Sequence, residues 1–166
     1  LLLSGCDDDD SGGTDMPGMV DVGSGDTGVL NYAYALEQLE AAFYTQVRAG
    51  SYYTSANAVE KQIFDDLYYH EVIHRELFKT ALAGNAIKAL EPVFPANTFS
   101  ARATVLATAK AFEDLGVAAY NGAGQYLTSP GNLFLAGKIV SVEARHAAII
   151  RDLVAETTFV GNDVIT

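Results

Sequence analysis

An all-α four-helix bundle, built as two antiparallel helix pairs joined by a long crossover, is the fold this sequence predicts, on three observations. Apolar residues recur at spacings of three and four from residue 28 onward, the period of one helix face. Breaker clusters cut that stretch into four segments of helical length. The connection from Asn85 to Thr98 carries Pro92 and Pro95 and is long for a helix linker, whereas its neighbours are short. At roughly 3.3 Å per residue such a segment reaches about 45 Å, enough to run the length of a helix of about 25 residues.

The first segment, roughly 28 to 48, carries Leu36, Leu39, Phe43 and Val47 as its apolar stripe, with Glu37, Glu40 and Tyr44 close beside it, and Gly50 ends it. The second starts from Ser55 as N-cap, presents Ile63, Leu67, Ile73, Leu77 and Leu82, and stops at Gly84-Asn85. The third follows Ser100 and runs to about Tyr120, before Gly122 and Gly124. Ser129-Pro130-Gly131-Asn132 opens the fourth, which continues to about Glu156. The bundle as a domain is expected over 28–160.

Composition narrows the function classes. The chain has 166 residues, 49% of them hydrophobic, enough for one domain with a sizeable core. A net charge of -11 argues against nucleic acid, which requires a basic surface, and favours cations as partners. A single cysteine excludes an intramolecular disulfide framework and any cysteine-based zinc or iron-sulfur centre.

That cysteine has its own context. Leu3-Ser4-Gly5-Cys6 follows a leucine run and precedes Asp7 to Asp10, which resembles the lipobox at the end of a bacterial lipoprotein signal peptide. On this reading residues 1–6 are the remnant of the signal, and Cys6 is the lipid-modified residue that anchors the protein at the bacterial cell envelope without a membrane span. The alternative is an incidental leucine-rich end. Residues 7–27, with their aspartate run and Gly-Ser and Pro-Gly pairs, read as a flexible acidic tether.

The chemistry lies in a repeated pattern. Glu-x-x-His occurs as Glu71-Val72-Ile73-His74 and again as Glu143-Ala144-Arg145-His146, using two of only three histidines. Three residues is nearly one helical turn, so each pair aims a carboxylate and an imidazole to one side of its helix. Glu37 is followed seven residues later by Tyr44, and Glu113 seven residues later by Tyr120. One Glu-x-x-His is ordinarily a solvated surface pair; two of them, interleaved with matched Glu…Tyr helices, are not explained that way. Glu37, Glu71, Glu113 and Glu143 each fall near the middle of their segment, so an antiparallel bundle brings them to one level. Like charges gathered in an apolar interior need compensation by protons or cations, and a pair of metal ions with oxygen and nitrogen ligands, iron or manganese, is the simple one.

This order of residues resembles the ferritin-like superfamily of carboxylate-bridged dimetal proteins, in which two helices give a Glu each and two give Glu-x-x-His. Phrases such as Leu30-Asn31-Tyr32-Ala33, Phe112-Glu113-Asp114 with Tyr120, and Val142-Glu143-Ala144-Arg145-His146 look most like the bacterial branch grouped with desiccation-related proteins. The resemblance implies Glu37 and Glu113 as terminal ligands, Glu71 and Glu143 as bridging carboxylates, and His74 and His146 as one imidazole per metal. It implies that Tyr44 and Tyr120 hydrogen-bond ligand carboxylates. Glu40 shares a face with Glu37 and is a substitute candidate, although the repeated seven-residue spacing to tyrosine favours Glu37.

His70-Glu71-Val72-Ile73-His74 also spells H-E-x-x-H, the zinc-protease helix, with Glu91 as a conceivable third ligand. That reading leaves the second Glu-x-x-His and both Glu…Tyr helices unused and lacks the sheet a zincin needs. In the bundle His70 is expected at the surface or behind the ligands, where replacing it matters little. The function implied is a di-iron, or dimanganese, centre reacting with oxygen or peroxide, as a ferroxidase or peroxide scavenger. The chain has no four-cysteine electron-transfer module, no helical methionine for a haem, and a tether ill-suited to a closed storage cage; a homodimer is compatible. The alternative is a non-catalytic envelope stress or metal-sequestering protein.

Overall fold

The computed structural model describes residues 19–161 and residue 163; Cys6 and most of the acidic tether lie outside the described residues. Four long helices form the bundle: α1 (Gly25–Ala49), α3 (Ala58–Leu82), α4 (Arg102–Gly124) and α5 (Pro130–Val154), with a single-turn α2 (Ser51–Ser55) between the first pair. No strand occurs among the described residues, and none of their helices is long and apolar enough to cross a membrane.

The boundaries differ from the sequence expectation in ways with physical causes. Ser55 does not cap the second long helix: Ser51–Ser55 forms a helical turn of its own, and Asn57 takes the capping role, its side chain accepting the Glu60 N–H at 2.9 Å. Ser100 spends its hydroxyl on the Asn97 carbonyl, so α4 starts from Ala101 without a side-chain cap. Helix α1 begins inside the stretch read as tether, because Asp26 has a structural task. Its carboxylate accepts from the Thr128 and Ser129 backbone N–H groups and from Asn132 Nδ2, tying the start of α1 to the start of α5. These bonds hold the Asp26 carboxyl well below its usual range. Residues just before the helix are also engaged, as Asn31 Nδ2 donates to the Val22 carbonyl at 3.1 Å.

Helix α1 packs mainly on α3, and α4 mainly on α5. The crossover between these pairs follows α1 along its length. Ile87 N–H donates to Asn31 Oδ1 and Leu90 N–H to Gln38 Oε1, then Phe94 and Phe99 pack on Phe43, and Phe99 O accepts from Tyr52 N–H. The chain is thus carried back to the far end before α4 begins, which makes α4 antiparallel to α1. At that end the core comprises Phe43, Val47, Phe64, Leu67, Val105 and Ile150; at the other end Leu30, Tyr34, Phe78, Leu82 and Ile139 form a second apolar layer. Each fully buried side chain of this size contributes roughly 1.5–3 kcal/mol relative to exposure. Between the layers, near mid-helix, the interior is polar.

Gly50 marks where the crossover presses closest on the first helix pair, since a Cβ there would meet Phe99 O at 2.7 Å and Phe99 Cβ at 2.8 Å. Gly50→Ala is expected to destabilise the fold by about 1–3 kcal/mol through this backbone clash. Equilibrium denaturation of the metal-free protein checks it, and an unchanged midpoint would contradict the route described for the crossover.

Candidate metal centre

The mid-helix positions of Glu37, Glu71, Glu113 and Glu143 do converge, and all four are fully buried, with His74 and His146 at most 8% exposed. Two reciprocal contacts fix the register of the helices. Tyr44 donates to Glu113 Oε1 at 2.5 Å, and Tyr120 donates to Glu37 Oε1. Each tyrosine therefore holds the glutamate of the other helix, an exchange that only an antiparallel α1 and α4 permit. Between α3 and α5 the same exchange recurs: His74 Nδ1 lies 2.9 Å from Glu143 Oε1, and His146 Nδ1 lies 2.8 Å from Glu71 Oε1.

The atoms left over define the site. Glu37 Oε2, Glu113 Oε2, both oxygens of Glu71 and of Glu143, and the Nδ1 atoms of His74 and His146 are buried without a hydrogen-bond partner. Unpaired buried groups are ordinarily expensive, about 1–3 kcal/mol each, so this many in one place calls for an occupant. Geometry sorts them into two groups of four, Glu37, Glu71, His74 and Glu143, and Glu71, Glu113, Glu143 and His146, with the chosen ligand atoms of each within 4.8 Å of one another. Glu71 and Glu143 belong to both groups, and the donors, oxygen with one imidazole nitrogen per group, suit a transition-metal ion. The residues present therefore fit two metal ions.

Electrostatics agree. Burial pushes Glu37 well up, and raises Glu113 to about 7. Burial would also raise Glu71, but the imidazoles of His146 and His74 outweigh it and hold Glu71 at about 2. Burial disfavours protonated imidazole, yet the surrounding carboxylates prevail and push both His74 and His146 up to about 12. Without metal, protons on the two rings are the counter-charges. Burial, then the charge of Glu113 or Glu37, raises Tyr44 and Tyr120 as well, so both remain hydrogen-bond donors.

Glu40 is buried beside the cluster but belongs to neither group of four. Burial, and then the neighbouring carboxylates, raise it well above the usual carboxylate range. Its space comes from Gly116: a Cβ there would stand 3.1 Å from Glu40 Oε1. Sequence reading missed Gly116, although comparing Glu37-x-x-Glu40 with Glu113-x-x-Gly116 shows the complementary pair. His70 is exposed, yet its Nδ1 lies 2.8 Å from His146 Nε2. It shares no ligand group with His74, and Glu91 is exposed, so the H-E-x-x-H residues are not assembled as a zinc site. Arg75 pairs with Glu76 and Arg145 is exposed; neither neutralises the cluster.

The sequence matches the family described as a ferritin-like domain over residues 25–156, a span that includes all five α-helices. No curated protein matches it.

Metal ligation requires neutral Nδ1, whereas the metal-free rings are protonated at pH 7. Loading is therefore expected to release about one proton from each imidazole, and affinity is expected to fall as pH falls. Calorimetry of metal binding in buffers of different ionisation enthalpy measures this; a binding heat independent of buffer would contradict the charge assignment.

Proposed function

The chain belongs to the ferritin-like family, and we propose that its central cluster holds two metal ions, iron in the first place and manganese as the variant, that react with oxygen or peroxide. The two overlapping groups of four carry this reading. Glu71 and Glu143 would bridge, Glu37 and Glu113 would each serve one metal, and His74 and His146 would supply one nitrogen each. A bound iron pair supplies redox equivalents at two adjacent centres, which suits oxidation of Fe(II) or reduction of an O–O bond.

The protein's own residues do the rest. Tyr44 and Tyr120 fix the orientation of Glu113 and Glu37, keeping the remaining oxygen of each aimed inward. Apolar layers above and below exclude water.

The full burial of the four carboxylates also favours a second reading, a centre that holds or sequesters metal without turnover, as in an envelope stress protein. The two readings share every ligand and part on turnover alone. Location is part of the same proposal: the Leu3-Ser4-Gly5-Cys6 pattern and the acidic stretch after it support a lipid anchor on the envelope, with the bundle held on a tether.

The test is iron stoichiometry after anaerobic Fe(II) loading, followed by exposure to oxygen or peroxide. Two irons per chain, oxidised rapidly, are expected. His74→Ala with His146→Ala is expected to lose most of the metal and about 100-fold or more of the oxidation rate, with helix content unchanged. Two inert irons would select sequestration, and full retention of metal by the double variant would overturn the ligand set.

A further inference from the structure

The two Glu-x-x-His helices are alike in their ligands and unlike immediately beside them. His70 precedes Glu71, whereas Val142 precedes Glu143. Antiparallel α3 and α5 bring His70 across to the other helix, where its ring lies edge to edge with that of His146, centroids 5.1 Å apart and planes 18° apart. His70 Nδ1 then lies 2.8 Å from His146 Nε2. Val142, in the corresponding place, has an apolar side chain with no polar group to offer His74.

From this geometry we infer that His70 is a positioning residue for His146 and that it makes the two metal positions inequivalent. The inference rests on the dimetal reading. His146 Nδ1 faces Glu71, Glu113 and Glu143, so when it serves as a ligand the ring's hydrogen is carried on Nε2. His70 Nδ1 accepts that hydrogen, which fixes both the tautomer and the rotation of the ring. A ligating imidazole oriented in this way is a better donor than one whose outer nitrogen is unsupported, an effect of about 10- to 100-fold in metal affinity. The position formed by Glu71, Glu113, Glu143 and His146 therefore fills first, and the position formed by Glu37, Glu71, His74 and Glu143 fills second. This revises the sequence expectation that replacing His70 has little consequence.

Co(II) titration of the metal-free full chain, followed by visible absorption, tests it, because each Co(II) reports its own coordination. Two binding steps are expected for the unaltered chain. His70→Ala is expected to weaken the tighter step about 10- to 100-fold and shift its bands, leaving the weaker step unchanged within about 3-fold. His70→Gln, which restores an acceptor, is expected to recover much of the tight step. Background variants assign the step: in His74→Ala the remaining site should respond to His70→Ala, and in His146→Ala it should not. Because His70 is exposed, its variants are expected to keep the metal-free melting temperature. Equal weakening of both steps, or no change in either, would overturn the inference while leaving the dimetal reading intact. Fewer than two Co(II) in the unaltered chain would overturn the dimetal reading beneath it.

Discussion

Charge held away from water is the constraint that organises this bundle. Glu37, Glu71, Glu113 and Glu143 have no exposed surface, and Glu40 adds a fifth carboxyl beside them. Isolated ions in such a place are untenable, and the interior answers with protons: burial raises Glu37, Glu40 and Glu113, while His74 and His146 hold theirs against Glu71 and Glu143. Two divalent ions would balance the four ligand carboxylates and leave both imidazoles neutral.

Holding the carboxylates in place requires the rest of the architecture. Tyr44 on α1 grips Glu113 on α4, and Tyr120 on α4 grips Glu37 on α1, so any slip of one helix along the other breaks both bonds. The aromatic group around Phe43, with Phe94, Phe99 and Phe112, locks the crossover against α1 and α4 at one end. Asp26, bonded to Thr128, Ser129 and Asn132, locks α1 to α5 at the other. These contacts convert approximate helix packing into the sub-ångström placement that a ligand set requires.

Much of this was legible because helical spacing converts directly into facing. The two Glu-x-x-His pairs and the two Glu…Tyr pairs give the cluster and its register, and the proline-bearing segment after Asn85 gives the crossover. What escaped was whatever depends on contact between helices. Gly116 reads as an ordinary helical glycine until Glu40 is seen in the room it leaves. His70 belongs to H-E-x-x-H in the sequence, but its ring turns toward another helix, and no spacing within α3 announces His146. Ser55 and Ser100 show the same limit at helix ends, where several capping residues compete and tertiary contacts choose.

The distribution of candidate ligands between the two helix pairs explains how one small bundle would build a two-metal site. Glu37, Glu71 and His74 come from the α1–α3 pair and receive Glu143 from the other; Glu113, Glu143 and His146 come from the α4–α5 pair and receive Glu71 in return. Each pair thus makes most of one position and lends a single carboxylate to its neighbour. The interface between the pairs is polar at its centre and apolar at its two ends, so the ends hold the pairs together. Binding of ions there would link the pairs across that polar centre. Because ions bound only in the folded state stabilise by mass action, about 2.7 kcal/mol at a hundredfold excess over the dissociation constant, the same side chains would serve chemistry and cohesion together.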